Sequence, residues 1–242
     1  MKLTPNIVLA TMAAQASALV QIEVRYSDKM IEVGNLDLFA TTYQAIYAED
    51  GNQRAVMMDR SFGADTNTCK STEDGDPDLN VQVKVNGAWG RTPGLQDNEM
   101  REALVASMWE VLQRVADPSG YEVFTNCRGL TWQESIGYTS EAACGPQSTR
   151  NCEEPCSKEG SPGLAQCMNQ SWGHQVPSSM RVTAYIDDQL QADDLIIEFS
   201  SAVNPKDGGC GIIGDIAAEL AGYVIPVAGG LFAKGIELGC SS

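Results

Sequence analysis

DNEMREALVASMWEVLQRVA, residues 97–116, is the stretch that decides the fold class. Its large apolar residues recur at helical spacing and form one stripe: Leu104, Met108, Val111, Leu112 and Val115. Asp97 can cap the first turn, and Glu99 places a negative charge near the positive end of the helix. Pro118 and Gly120 then stop it. We therefore predict an amphipathic helix over Asp97–Ala116 that buries its stripe against a neighbouring layer.

Strands are predicted on both sides of this helix, from period-two alternation and short apolar runs. They are Val20–Tyr26, Arg54–Met58, Leu79–Val85, Tyr121–Asn126, Met180–Ile186 and Leu195–Ser200. A second helix is predicted over Leu36–Ala48, and a polar loop over 62–78. The acidic pairs Asp187-Asp188 and Asp193-Asp194 are interpreted as polar residues of a hairpin connection. This mixture predicts an α+β fold, with helices packed on one face of an antiparallel sheet.

The first 18 residues predict a secretory signal peptide. Lys2 gives a short positive region, residues 7–14 are almost wholly apolar, and Ala16-Ser17-Ala18 offers the small residues that signal peptidase needs. Cleavage after Ala18 would leave Leu19–Ser242 as one secreted domain. The apolar run is shorter than the roughly 20 residues of a membrane-spanning helix. A short buried helix of a cytosolic fold is the alternative interpretation.

The chain is strongly acidic, with 32 Asp and Glu residues against 16 Lys and Arg residues and a formal charge of −16. Loss of Lys2 with the leader would make the charge −17. Such a surplus opposes approach to nucleic acid or to an anionic membrane. We predict no nucleic-acid partner and no cofactor, and the expected target is a protein or a glycan.

All eight cysteines follow the predicted leader: Cys69, Cys127, Cys144, Cys152, Cys156, Cys167, Cys210 and Cys240. An even number in a secreted chain predicts four disulfides. Cys210 is expected to pair with Cys240, and the four cysteines between 144 and 167 mainly among themselves or with Cys127. The C-x3-C spacing of Cys152 and Cys156 would suit zinc, but one histidine and an oxidising destination disfavour a metal site.

Residues 128–179 are predicted to form a disulfide-rich excursion from the domain. The segment holds four cysteines, several Gly, Pro and Ser residues, and little periodicity. Because so long a loop in a compact domain has to be pinned, we expect disulfides to hold it. The sequence Asn169-Gln170-Ser171 is a glycosylation motif, which predicts that Asn169 lies on the surface.

The segment from Cys210 to Cys240 is predicted to be a disulfide-closed helical hairpin, divided at Pro226. Its apolar residues are Ile212, Ile213, Ile216, Leu220 and Val224 before the proline, and Val227, Leu231, Phe232 and Leu238 after it. We expect this hairpin to pack on the sheet and to supply core. A membrane-active hairpin is the alternative, which the acidic charge and the lack of a Lys/Arg-rich polar face oppose.

Few residues are candidates for catalysis. His174, the only histidine, is interpreted as a surface residue, since no serine stands in a G-x-S-x-G context. A glycosidase-like site would use a carboxylate such as Glu134, which follows Trp132 closely. Trp89 and Trp172 would then be further sugar platforms, with Trp132.

The acidic stretch 74–78 resembles the start of a calcium-binding EF-hand loop, but the residues that follow do not complete the motif. Leu79 and Val85 stand where that loop needs Gly and Glu. We interpret the stretch as a solvated acidic loop, with a looser extracellular calcium site as the alternative, and assign no catalytic or metal-binding residue.

A leader ending Ala16-Ser17-Ala18, an acidic mature chain and eight cysteines together resemble the small secreted cysteine-rich proteins of filamentous fungi. That group includes candidate effectors and killer-toxin-like proteins. The helix Asp97–Ala116, followed by the strand from Tyr121 to Cys127, is similar to the α/β sandwich of killer-toxin-like folds. The disulfide-stapled frame and the lack of a recognisable catalytic constellation predict a non-enzymatic, effector- or toxin-like protein that binds a target outside the producing cell or in a host. A carboxylate-dependent hydrolase and a membrane-active toxin remain alternatives.

Overall fold

The computed structural model describes residues 20–50, 54–66, 77, 79–95, 97–124, 170–202, 209–221, 223 and 236–241. These residues form a mixed α+β fold with a mostly antiparallel sheet, as predicted. The strands are β1 (Val20–Ser27), β2 (Met30–Gly34), β3 (Ala55–Ala64), β4 (Leu79–Ala88), β5 (Tyr121–Phe124), β6 (Gln170–Pro177), β7 (Ser179–Ile186), β8 (Gln189–Ser201) and β9 (Ile236–Ser241). The helices are α1 (Ala45–Asp50), α2 (Asp97–Ala116) and α3 (Ile213–Leu220).

The described strands form two sheets. The larger sheet has six strands in the order β3-β4-β8-β7-β1-β9, and the smaller has three in the order β2-β6-β5. Within the larger sheet β9 runs parallel to β1, and every other neighbouring pair is antiparallel. The β7–β8 hairpin turns at Asp187 and Asp188, whose φ angles are 48° and 62°. Positive φ at both residues is what a two-residue hairpin turn of this hand requires.

Helix α2 has the bounds that its sequence predicts, and all five residues of its apolar stripe are buried. It contacts β1, β7 and β8 of the larger sheet and β6 of the smaller one. Alternate residues of the strands complete the core, among them Val81, Val83 and Val85 of β4. Each buried apolar side chain contributes about 1.5 to 3 kcal/mol when it is withdrawn from water. Because α2 buries five of them, the core depends on this helix.

Several element bounds differ from the sequence prediction. Strand β2 was not predicted, and β3 continues to Ala64 inside the polar loop predicted over 62–78. The predicted helix 36–48 is present as a π-helical turn, Phe39–Gln44, that continues into α1. Strand β6 occupies residues that were assigned to the excursion 128–179, because pairing with β2 and β5 satisfies a backbone with little apolar periodicity. Residues 125–169 lie outside the described residues.

The C-terminal segment agrees with the predicted helical hairpin at its start and differs from it at its last residues. Its first half is helical, since α3 follows a 3-10 turn at Gly209–Ile212 and buries Ile216 and Leu220 in the core. Its end, Ile236–Ser241, is strand β9 where the hairpin was predicted to continue as a helix. Residues 224–235, which include Pro226 and most of the predicted second helix, lie outside the described residues. Pairing with the edge of β1 satisfies the backbone of β9 and outweighs any local helical preference. Among the described residues, no helix is both long and apolar enough to cross a membrane.

Truncation of Leu220 to alanine should lower the free energy of unfolding by about 2 to 3 kcal/mol. Leu220 is buried in the main core, and α3 is short, so its site can partly collapse around the missing atoms. The matched control is Glu219→Ala, which removes an exposed carboxylate 3.2 Å from Arg114 Nε and should cost less than about 1 kcal/mol. Denaturant melts compare the two. Unchanged melting of Leu220→Ala, together with liposome leakage by the wild type, would favour the membrane-active alternative.

Candidate functional site

Four aromatic side chains from the α1 region and α2 form one continuous group, which we call the aromatic surface: Phe39, Tyr43, Tyr47 and Trp109. Phe39 stacks on Tyr43 with ring centroids 4.9 Å apart and 14° between the planes. The edge-to-face pair of Phe39 and Trp109 has a centroid distance of 5.1 Å, and Tyr43 and Tyr47 are 5.0 Å apart. Phe39 is 38% exposed and the other three rings are partly buried. The group is therefore packed but reaches the solvent.

The local sequence explains why three of these rings lie in a row. Phe39, Tyr43 and Tyr47 are spaced by four residues and so share one helical face. The turn that carries Phe39 is held at its start by Asp37, whose carboxylate accepts a hydrogen bond from the Ala40 N–H at 2.9 Å. Segments of π-helix are rare and occur often at functional sites. The backbone thus presents the rings in a fixed arrangement.

Charged residues border the aromatic surface. The guanidinium carbon of Arg101 lies 4.9 Å from the centroid of the Tyr47 ring, a cation–π contact. Burial, and to a smaller extent the neighbouring Tyr43, raise the pKa of Tyr47 well above its ordinary value. Arg114 of α2 forms ion pairs with Glu110, which follows Trp109 in the chain, and with Glu219. Tyr47 therefore stays a neutral hydroxyl at any physiological pH.

This arrangement suits recognition rather than chemistry. Aromatic rings that are rigid, half-buried and bordered by charged groups are typical of the residues that dominate the binding energy of protein interfaces. The tyrosine hydroxyls add donors and acceptors at the border. The described part of the aromatic surface has no nucleophile paired with a base.

Two carboxylates of the sheets are held by several donors each. Glu23 of β1 accepts hydrogen bonds from Arg25 Nε at 2.9 Å and from the Tyr185 hydroxyl at 2.8 Å. Burial by itself would raise the pKa of Glu23, but these hydrogen bonds outweigh it and hold the pKa below its usual value. Glu32 of β2 accepts from the Tyr121 hydroxyl at 2.5 Å and from Gln175 at 3.3 Å. With its pKa lowered in this way, Glu23 acts as a structural anion and is poorly placed to donate a proton.

Three of the residues that a sequence-predicted hydrolase would use lie in the described part of the chain: Trp89, Trp172 and His174. Trp89 is buried in the core, so it cannot be a sugar platform. Trp172 is 56% exposed on β6, where Glu122 is its cross-strand neighbour. His174 is partly buried on β6, with Nδ1 3.3 Å from the carbonyl oxygen of Ala116. The candidates Trp132 and Glu134 lie outside the described residues.

Asp193 is the polar residue that the sequence prediction misjudged. Asp187 and Asp188 do form the hairpin turn, but Asp193 belongs to β8 and is completely buried. Its carboxylate accepts hydrogen bonds from the Arg91 N–H at 2.9 Å and from the Thr92 hydroxyl. Period-two spacing puts Asp193 on the same side of β8 as the buried Leu195, and this is the signal that could have found it.

The predicted pairing of Cys210 with Cys240 is confirmed: the two form a disulfide with a Cα separation of 5.6 Å. With Asp28 they are the group of described residues whose ligand atoms lie close enough together to hold a metal ion. The other six cysteines, Asn169, and residues 74–76 and 78 of the acidic loop lie outside the described residues.

Comparison with known proteins gives no relative: no family model matches the chain, and no curated protein or solved structure matches it. Any function of this chain is therefore inferred from its own residues. Its two strongest features are the aromatic surface and the group at the Cys210–Cys240 disulfide.

Proposed function

We propose that this protein is a secreted, non-enzymatic factor that acts by binding a protein target through the aromatic surface. The observation that carries the proposal is the exposed ring of Phe39, stacked on Tyr43 and braced by the edge of Trp109. Because neighbouring rings already hold Phe39 in place, its side chain loses little conformational entropy when a partner buries it. An aromatic anchor of this kind fits an apolar pocket.

The ring geometry favours a protein over a glycan as the target. A sugar stacks on an open aromatic face, whereas Phe39 and Tyr43 cover one face of each other at a centroid distance of 4.9 Å. What remains exposed is the outer part of a compact apolar knob. Trp172 on β6 is the exposed ring that a glycan could use instead, and the experiment below separates the two cases.

Charge supports a basic or neutral partner. The formal charge of −16 repels other acidic proteins and speeds encounters with basic ones, in a way that salt weakens. Glu110, which follows Trp109 in α2, pairs with Arg114, and Arg114 also pairs with Glu219. Charges of both signs suit the polar rim of an interface.

Secretion is part of the proposal, supported by residues 1–18, the acidic composition and the confirmed disulfide. The same features support a place among the effector- or toxin-like secreted proteins of filamentous fungi. Mass spectrometry of the secreted product should show that its chain begins at Leu19. A product that keeps residues 1–18 would contradict this part of the proposal.

The two faces of the larger sheet differ in what they expose. We infer that the helices cover one face of the larger sheet, because α2 contacts β1, β7 and β8 there. The opposite face carries exposed charged residues such as Arg25, Lys84 and Glu198. This arrangement would leave the aromatic surface, rather than the sheet, as the main apolar contact region.

The experiment compares two truncations of exposed apolar side chains. Labelled wild-type protein is bound to intact candidate target cells, and unlabelled Phe39→Ala or Met57→Ala is tested as a competitor. Met57 is 83% exposed on β3, on the side of the strand opposite the buried Val56 and Met58, and it is not one of the four rings of the aromatic surface. We expect Met57→Ala to compete like the wild type and Phe39→Ala to compete about tenfold or more weakly, as loss of a hot-spot residue does.

Two further treatments decide between target classes. Protease treatment of the cells should abolish binding, and glycosidase treatment should leave it intact. The proposal is wrong if Phe39→Ala competes as well as the wild type. It is also wrong if the purified protein turns over glycans, esters or peptides with a kcat above about 1 per second.

A further inference from the structure

The Cys210–Cys240 disulfide lies beside a carboxylate. Asp28 follows β1, and an oxygen of its side chain and the two sulfurs all lie within 4.8 Å of one another. While the sulfurs are bonded to each other they are poor metal ligands, because it is the thiolate that binds metal. Reduction would turn the same three side chains into two thiols and a carboxylate at one place.

Asp28 is tied to both cysteine segments by bonds that do not involve sulfur. Its N–H donates to the carbonyl oxygen of Ser241 at 2.8 Å, and its own carbonyl accepts from the Gly209 N–H at 3.0 Å. Its carboxylate accepts from the Cys210 N–H at 2.7 Å. These contacts fix Asp28 to the residue before Cys210, to Cys210 itself and to the residue after Cys240.

The sheet adds a further restraint, since Cys240 pairs with Tyr26 in the parallel β1–β9 ladder. Breaking the disulfide leaves this ladder and the three Asp28 hydrogen bonds in place. The two thiols therefore stay close to the carboxylate after reduction, and a ligand set that is already assembled binds metal at a lower entropic cost.

We propose that Asp28, Cys210 and Cys240 form a redox-gated zinc site, closed as the disulfide and open in the reduced protein. A dithiol reductant supplies two electrons and two protons, so the disulfide becomes two thiols and the reductant becomes a disulfide. Zn²⁺ then displaces the two thiol protons and binds two thiolates and one carboxylate, with water in the fourth position. Two sulfurs and one oxygen are a ligand set that Zn²⁺ accepts.

In a reducing environment, bound zinc would replace the disulfide as a cross-link. It would join the turn before α3 to β9 and keep the C-terminal strand docked on β1. The negative charge of the whole chain favours a cation at this place. This inference does not rest on the proposed binding function, because it concerns a different part of the molecule.

The test is alkylation of the reduced full-length protein with and without Zn²⁺, followed by mass spectrometry of each cysteine peptide. This readout separates Cys210 and Cys240 from the other six cysteines. We expect Zn²⁺ to slow labelling of both residues about tenfold or more in the wild type. In Asp28→Asn this protection should be lost or greatly weakened, although the asparagine oxygen can still accept from the Cys210 N–H.

Two controls complete the design. Asp59→Asn removes an exposed carboxylate on β3 that pairs with Lys84, and it should be protected like the wild type. Circular dichroism of each reduced protein checks that the fold persists, and Co²⁺ in place of zinc should give a thiolate charge-transfer band that Cys210→Ser/Cys240→Ser diminishes. Equal labelling with and without zinc, or undiminished protection in Asp28→Asn, would overturn the proposal.

Discussion

Replacing Asp193 with alanine should lower the free energy of unfolding by about 3 to 5 kcal/mol, whereas Asp194→Ala should cost less than about 1 kcal/mol. Asp193 is 0% exposed and accepts hydrogen bonds from the Arg91 N–H and the Thr92 hydroxyl. Its removal abolishes two hydrogen bonds and leaves both donors without their acceptor. Asp194 is partly exposed, and its ion pair with Arg181 spans 3.3 Å.

The reason for so large an effect is the place that Asp193 holds. Arg91 and Thr92 belong to the connection between β4 and α2, and one residue, Gly90, separates them from the buried Trp89. Asp193 thus fastens the entry of the main core helix to β8. Loss of this anchor should loosen the connection as well as remove the hydrogen bonds.

Urea or guanidinium denaturation of both variants measures the difference. Thr92→Val and the double variant Asp193→Ala/Thr92→Val complete a cycle whose coupling energy should exceed about 1 kcal/mol, because the two side chains share a buried hydrogen bond. Similar losses for Asp193→Ala and Asp194→Ala would contradict the anchoring role.

The local sequence around Asp193 does not reveal its hydrogen-bond partners. Four acidic residues near a turn look alike in sequence, and a charged residue is normally exposed. The period of two does place Asp193 beside Leu195 on the buried side of β8, but nothing nearby in the chain names its donors. Those donors are about a hundred residues away, at Arg91 and Thr92.

The elements that were predicted well are those whose information is local. Helix α2 carries its own cap, stripe and stop signals, and its bounds agree with the prediction. Strand β9 carries no such signals, since it forms by pairing Ile236 with Ile22 across most of the chain. A segment with weak periodicity follows its partner strand, and single-chain patterns do not identify that partner.

The sequence predicts the aromatic surface only in part, for the same reason. The helical spacing of Phe39, Tyr43 and Tyr47 is readable, but it predicts an apolar stripe that faces the core. That Trp109 of α2 reaches Phe39 is a tertiary fact. The partial exposure that makes the group a candidate site depends on it.

Removal of the Cys210–Cys240 disulfide, as Cys210→Ser/Cys240→Ser in otherwise oxidised protein, should lower the free energy of unfolding by about 3.5 kcal/mol. The disulfide closes a loop with a sequence separation of 30, and the chain-entropy relation gives about this value for such a loop. Because the relation acts on the unfolded chain, the native core should change little. The emission of the buried Trp89 and the far-ultraviolet circular dichroism should therefore stay close to those of the wild type.

Denaturant melts supply the measurement and also a test of the cause. An unfolded chain freed of the cross-link exposes more surface, so the dependence of unfolding free energy on denaturant should become steeper. Cys210→Ala/Cys240→Ala is the control for the partly buried serine hydroxyls, and it should lose the same stability within about 1 kcal/mol. An unchanged midpoint in both double variants would mean that the β1–β9 ladder and the hydrogen bonds of Asp28 alone hold the C-terminal strand.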